Sequence, residues 1–383
     1  MGRMRPRLDE PAVAQTWSEE LDVKKLTVLV LFGGRSAEHE VSIRSATSVI
    51  NALEAEKYDV IPVVISKAGK WLSPARSAGL LGRVNKALEA PEDELIASAG
   101  KSALIPVDSR RSRRVDVVFP VLHGPFGEDG TVQGLLELAD VAYVGSGVVG
   151  SAVGMDKDLL KRLFRDAGLP VVDFLCVSRS RWRKSRRAVT SEIRSRFRYP
   201  VFVKPACLGS SVGISKVKSR RGLGEAMDAA ARFDVKILVE QGIDARELEC
   251  SVMGNEEPRA SCVGEIIPGG EFYDYEEKYI RDTTKLVIPA AIPKKVSQEV
   301  RRLSVQAFQA ADCAGLARVD FLMHRRTRKL YVSELNTMPG FTEISMYPKL
   351  WEHSGLPYHA LLDRLIELAI KRHQDRRDVR VDR

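Results

Sequence analysis

Apolar and polar positions along this chain alternate in two rhythms. Residues 26–32 (LTVLVLF) form a short apolar run that stops at Gly33-Gly34. A helix-period pattern follows to about Leu53, and residues 58–65 (YDVIPVVI) make the next apolar run. Strand, glycine turn, helix, strand is the opening of a parallel α/β sheet. Residues 115–122 (VDVVFPVL) predict another buried strand, and residues 123–130 (HGPFGEDG) a glycine-rich loop. A helix over residues 131–139 and a short strand (VAYVG) then lead to a first domain boundary near Gly147.

Beyond Gly147 the texture changes. Residues 155–167 predict a helix that stops at Gly168 with Pro170 behind it. Strands are expected at 199–204, 214–217 and 237–240, with a helix at 223–233; the glycine-serine loop between the first two suggests an antiparallel hairpin. Further strands at 247–253 and 260–266 precede an irregular polar stretch at 268–284. A helix at 297–314, strands at 317–323 and 330–334, and a helix at 359–371 complete the pattern.

With 383 residues and 42.5 kDa the chain is long enough for two or three cores. Its 44% hydrophobic and 29% charged residues exclude a mainly disordered chain. No apolar run approaches the ~18 residues of a membrane helix, which argues against membrane partners. Residues 1–25 are charged, lack an apolar stretch, and read as a frayed extension rather than a secretory signal. The cysteines at 176, 207, 250, 262 and 313 stand apart, so neither a disulfide framework nor a C-x-x-C metal site is expected, and the compartment reads as reducing and cytoplasmic. The net charge of +9 invites a nucleic-acid reading. Its location argues otherwise: residues 179–198 hold nine basic residues against one acid, and residues 371–383 hold six against three. Those two segments exceed the whole excess, whereas a nucleic-acid binder spreads basic charge over a face.

Alternation in ARVDFLM (317–323) puts Arg318 and Asp320 on one face, and in YVSELNTMPG (331–340) puts Glu334 and Asn336 together. If the strands are hairpin neighbours, two carboxylates and an amide oxygen converge with one arginine. Hard oxygens left incomplete in this way suit Mg²⁺ in nucleotide sites. A surface salt bridge fits the alternation equally well, and the adjoining turn, where Gly340 offers a backbone N–H to an anion, tips the balance. In FVKPACLGSSVG (202–213), Lys204 precedes Gly209-Ser210-Ser211, small residues that can close over phosphates. This is not the Walker pattern, and alone it is weak, since structural turns outnumber phosphate lids. Lys157 alone reads as a solvated helix lysine. Glu240 ends an apolar strand and Glu247 follows seven later; they suit a nucleotide's amino group and ribose, or a sheet edge.

In combination these residues resemble the D-alanine–D-alanine ligases of the ATP-grasp superfamily, from about residue 26 to 371. The anchors are GGRSAEHEVS (33–42), LHGPFGEDGT (122–131), MDK (155–157), VKPACLGSSVG (203–213), FYDYEEKY (272–279), ARVDF (317–321) and ELNTMPGFTEIS (334–345). The resemblance implies an α/β fold, α+β in the ATP-binding part: an ATP-grasp fold with an N-terminal parallel, Rossmann-like domain. It implies a flexible extension at 1–24, a substrate-binding domain at 25–147, ATP-grasp subdomains at 148–243 and 244–372, a mobile lid at 271–289, and a flexible tail at 373–383. ATP would phosphorylate one D-alanine, and the amine of a second would attack the acyl phosphate. D-serine or D-lactate as second substrate is the alternative; Tyr279, where D-lactate ligases typically carry histidine, favours an amine.

Residue roles follow from the same resemblance. Two Mg²⁺ (or Mn²⁺) ions fall to Asp320, Glu334 and Asn336, and phosphate binding to Lys157 and Lys204. Glu240 and Glu247 match the adenine and ribose contacts, with Ser211, Gln241 and Ile243 around the nucleotide. Glu38 pairs with the first D-alanine's ammonium, joined by Ser210 and Tyr279 in a hydrogen-bonded triad. Arg318 and the Gly340 N–H face the oxyanion, Lys278 and Ser345 the second D-alanine's carboxylate, and His123 the second-substrate position. A homodimer through the N-terminal domain is implied as well. The chain departs from the family at Cys207-Leu208, where polar or basic residues are common, and at Gln241, where some members carry lysine. The arginine-rich stretch 179–198 matches no family role and reads as a solvated loop and helix.

Overall fold

Strand β1 (Leu26–Gly33) ends at Gly33, φ +88°, where a Cβ would lie 2.3 Å from the Ile65 carbonyl oxygen, so the turn requires glycine. Helix α1 (His39–Ala52) returns over the sheet, and β2 (Tyr58–Ile65) pairs parallel to β1 with Leu26 opposite Tyr58. The structure, a computed structural model, describes residues 25–81, 95–98, 103–106, 113–269 and 284–379. After α2 (Pro74–Leu81), a small antiparallel sheet joins β3 (Leu95–Ser98), β4 (Ala103–Pro106) and β5 (Arg113–Arg114). Then β6 (Val117–Leu122), α3 (Thr131–Leu138) and β7 (Ala142–Tyr143) complete a parallel sheet of order β2-β1-β6-β7.

The unbroken apolar run of β1 is explained by burial on both faces. Val28, Val30 and Phe32 pack with Leu361, Leu362 and Leu365 of the last helix, Tyr358–Arg377, while Leu29 and Leu31 pack with Val132 and Leu136 of α3. Each such side chain contributes about 1.5–3 kcal/mol on burial. That last helix runs to Arg377, past the limit of 371 expected from the pattern.

The helix expected over 155–167 is α5 (Lys157–Asp166), and a helix that the pattern did not predict, α4 (Val148–Met155), runs directly into it. Asp156 breaks them: its backbone is extended, and its carboxylate caps α5 by accepting from the Asp158 and Leu159 N–H groups. A second sheet, all antiparallel, has the order β10-β9-β11-β8, from β8 (Phe174–Ser178), β9 (Val201–Pro205), β10 (Ser215–Val217) and β11 (Lys236–Gln241). The arginine-rich stretch differs from the loop and helix expected of it. It forms α6 (Arg179–Lys184) and α7 (Arg186–Arg196), whose Trp182, Val189 and Ile193 are buried against Val201, Val203 and α8 (Leu223–Phe233). Arg181, Arg186 and Arg196 pair with Glu192, Asp228 and Asp173.

The third sheet, order β14-β13-β12-β15-β16, is also antiparallel. Its strands are β12 (Ala245–Gly254), β13 (Arg259–Ile267), β14 (Lys285–Val287), β15 (Gly315–His324) and β16 (Leu330–Asn336). Phe308 and Val300 of the helix Lys294–Ala310 and Phe164 of α5 pack on its Cys250, Val319 and Phe321. No helix among the described residues is long and apolar enough to cross a membrane.

Candidate active site

The turn after β1 is stitched to the carboxyl ends of β1 and β6. Ser42 accepts from the Gly33 N–H at 2.7 Å and donates to the Val121 carbonyl, and Ser36 donates to the His123 carbonyl at 2.6 Å. Glu38, at the start of α1, therefore lies beyond the strand ends, where open α/β sheets bind ligands. Gly124 and Gly209 press on its carboxylate: a Cβ at either would come within 3.0 and 3.3 Å of Oε2. Ser210, at φ +50° and followed by Ser211 at +59°, donates its hydroxyl to Oε1. Two consecutive non-glycine residues in this region are uncommon and persist where the surroundings hold them.

His123 is buried beneath this turn. Nδ1 lies 3.0 Å from the Met338 carbonyl and 3.5 Å from Glu128, and Nε2 lies 3.2 Å from the Ser45 hydroxyl, which also accepts from the Phe341 N–H at 3.3 Å. The Gly340 loop is thereby tied to the first sheet. A Cβ at Gly340 would lie 2.9 Å from the Ser345 hydroxyl, itself 2.7 Å from that of Thr342.

A second group of side chains rises from α5, β9 and β11. Lys204 Nζ lies 2.6 Å from Glu240 Oε2, and Lys161 Nζ lies 2.9 Å from Oε1. Burial alone would drive Glu240 up, but the two ammonium groups outweigh it and hold the carboxyl below its ordinary range. Burial pulls Lys204 down, yet Glu240, Glu334 and Glu247 together leave it raised. Lys161 is lowered, burial prevailing over Glu240. Lys157 Nζ donates to the Leu208 carbonyl at 2.7 Å and lies 3.6 Å from Glu334, so it bridges the glycine-serine loop and the third sheet. Gln241 turns away from this group: its side chain bonds the Arg198 N–H and carbonyl and the Gly242 carbonyl, and its own N–H goes to Asp173. Ile243 follows it, half-buried.

On β15 and β16 the register sets Asp320 opposite Glu334 and Arg318 opposite Asn336. Arg318 forks onto Asp320 through Nε and Nη2, both at 2.7 Å, and lies 3.1 Å from the buried Glu249. Asn336 Oδ1 accepts from the Met338 N–H at 3.0 Å. The donor set is two carboxylates and an amide oxygen, which suits a hard cation that completes its shell with phosphate oxygens and water. No group of three or more His, Cys, Asp or Glu suited to a metal occurs among the described residues; the third donor of this set is an amide. Lys278, Tyr279 and the rest of residues 271–283 of the expected lid lie outside the described residues.

Two buried charges that touch Glu240 and Arg318 had not been singled out in the sequence. Glu249 alternates with Glu247 on β12, which was a usable signal. Lys161 stands one helical turn after Lys157, on the same face, in a stretch (KDLLKRLF) whose lysines look solvated.

Two antiparallel sheets facing a lysine- and acid-lined cleft, behind a parallel α/β domain, define an ATP-grasp protein. Family matches give the narrower assignment: residues 27–146 match the D-ala D-ala ligase N-terminus and residues 163–367 the D-ala D-ala ligase C-terminus. A D-alanine--D-alanine ligase of Acetivibrio thermocellus is 47% identical, covering 92% of this chain and 97% of the relative. Another, from Solibacter usitatus, is 48% identical over 94% and 100%. The solved D-alanine-D-alanine ligase of Coxiella burnetii superposes with a TM-score of 0.81 at 40% identity, covering 92% of this chain and 96% of that one. The VanG D-Ala:D-Ser ligase of Enterococcus faecalis gives 0.80 at 33%, over 90% and 100%. The chain belongs to the D-alanine–D-alanine ligase family.

Proposed function

We propose that the protein uses ATP to join two D-alanines into D-alanyl-D-alanine for peptidoglycan precursors, releasing ADP and phosphate. In the first step a carboxylate oxygen of one D-alanine takes the terminal phosphoryl group and ADP departs. In the second, the amine of the other D-alanine attacks the acyl carbon, and phosphate leaves the tetrahedral intermediate. Such chemistry asks the protein mainly to position anions and offset moving charge.

Glu38 pairs with the first substrate's ammonium, and Ser210 fixes that carboxylate. Lys157 and Lys204 take phosphate oxygens, Glu240 the adenine amino group, and Glu247 the ribose hydroxyls; Ser211, Gln241 and Ile243 flank the nucleotide. Arg318 and the Gly340 N–H face the oxyanion. His123 and Ser345 serve the second D-alanine. Asp320, Glu334 and Asn336 would hold two Mg²⁺ (or Mn²⁺) ions, which neutralise the phosphates when bound. The observation that carries this reading is Lys157, whose ammonium sits between the glycine-serine loop and Glu334 and so joins the phosphate side to the acidic pair.

The domain reading is a substrate domain at 25–147 with ATP-grasp subdomains at 148–243 and 244–372. A cytoplasmic homodimer is part of the proposal; Leu138 on α3 and Val149 on α4, 74% and 57% exposed, offer it apolar surface. Sedimentation of wild type against Leu138→Glu tests the dimer, which should dissociate.

Phosphate release from ATP tests the reaction, with D-alanine alone and with L-alanine as control. No release dependent on D-alanine overturns it. The likeness to a D-Ala:D-Ser ligase supports a second reading, in which added D-serine gives the mixed dipeptide. D-serine and D-lactate belong in the same assay; the relatives named D-alanine--D-alanine ligase, at 47% and 48% identity, favour alanine.

A further inference from the structure

Lys161 is 1% exposed, the least exposed charged side chain among the described residues. Its helix fixes it there: Leu160 and Phe164, on either side, anchor α5 in the second core. Its ammonium faces Glu240 Oε1 at 2.9 Å from the side opposite Lys204, which holds Oε2 at 2.6 Å. The one carboxylate that both buried ammonium groups approach cannot match both charges by itself, and Glu334 and Glu247 add theirs at Lys204. Two buried cations drawn on one carboxylate suit an anion such as a phosphate beside them.

We propose that Lys161 is a positioning residue for nucleotide binding: by neutralising Glu240 from behind, it releases the charge of Lys204 for a phosphate and keeps Glu240 an ionised acceptor for the adenine amino group. The inference rests on the reading of Lys204 and Glu240 as nucleotide contacts. The direction in which Glu240 is held, ionised against burial by Lys161 and Lys204, agrees with the geometry. Without Lys161, Glu240 is left to Lys204 alone, and the phosphate loses one of its two lysines. Without Glu240, Lys204 is released from this carboxylate whether Lys161 is present or not, because Lys161 has nothing left to neutralise.

The test titrates Mg·ADP onto the full-length protein by calorimetry, with D-alanine-dependent phosphate release measured alongside. Lys161→Met should weaken ADP binding and raise the KM for ATP about tenfold or more, with a smaller fall in kcat. In the Glu240→Gln background the same substitution should change ADP affinity by less than about threefold, because the effect passes through Glu240. Wild-type affinity in Lys161→Met, or an equal loss in both backgrounds, overturns the proposal. If Lys161→Met alone does not fold, as judged by circular dichroism, Glu240→Gln with and without it decides the matter. A wild type that binds ADP but releases no phosphate with D-alanine would refute the ligase reading and leave this titration standing.

Discussion

Ser210 donates its hydroxyl hydrogen to the carboxylate of Glu38, 172 positions earlier in the chain. The bond fastens the β9–β10 turn of the second sheet to the first turn of α1, so two separate elements share one carboxylate. Ser210→Ala removes that donor while the backbone remains. A hydrogen bond to a charged group is worth about 1.5–3 kcal/mol, or about 10- to 100-fold. We expect kcat/KM for the first D-alanine to fall by that factor in steady-state assays, with the melting temperature little changed. Unaltered kinetics would mean that the contact plays no part in binding.

The β15–β16 site was legible because strand alternation has a period of two. Placing Arg318 with Asp320 and Glu334 with Asn336 needs no tertiary information beyond the pairing, and the register supplies it. The parallel first sheet was legible for the opposite reason: β1 shows no alternation, because it is buried on both faces. Helix α4 was not, because its short run VVGSAVGM carries two glycines and no polar face to mark a helical period. Nor was the order within residues 179–198, where the arginines hide three core positions, Trp182, Val189 and Ile193. Lys161 was hidden because nothing local distinguishes a buried lysine from a solvated one; only the approach of Glu240 from another sheet does.

Arg318 makes a two-pronged contact with Asp320 and lies near Glu249, so its planar fork matters as well as its charge. The substitution Arg318→Lys keeps the charge and loses the fork. Removal of one oxyanion donor costs about 100- to 1,000-fold in kcat elsewhere, and a loss of that order is expected here, with the KM for ATP less affected. Rapid-quench measurement of product formation reads it directly. A variant that loses thermal stability and keeps kcat would make the fork structural only.

Gly33 and Gly79 separate two effects of the same substitution. At Gly33, φ is +88° and a Cβ would come 2.3 Å from the Ile65 carbonyl oxygen, so Gly33→Ala must shift the backbone of the sheet. Strain of that kind costs about 1–3 kcal/mol, besides the left-handed conformation. Gly79 lies exposed in α2 with nothing within 4 Å of its added Cβ, and Gly79→Ala should stabilise by about 0.5–1 kcal/mol. Urea midpoints moving in opposite directions are the expected result.

His123 and Glu128 make stability depend on pH. Burial pulls His123 down, but Glu128, Glu38 and the Met338 carbonyl outweigh it, so the imidazole is held above its ordinary 6.5. A histidine raised on folding contributes stability that is complete below 6.5 and is lost as the pH climbs through the folded value. Glu128 is raised as well, burial and the charge of Glu38 outweighing the pull of His123. A raised carboxyl costs stability as it ionises, so it acts in the same direction. Glu128→Gln removes one group and weakens the hold on the other. The melting temperature of wild type relative to this variant should therefore fall as the pH is raised from 6.5 into the alkaline range. Parallel profiles across that range would show that the pair does not exchange protons on unfolding.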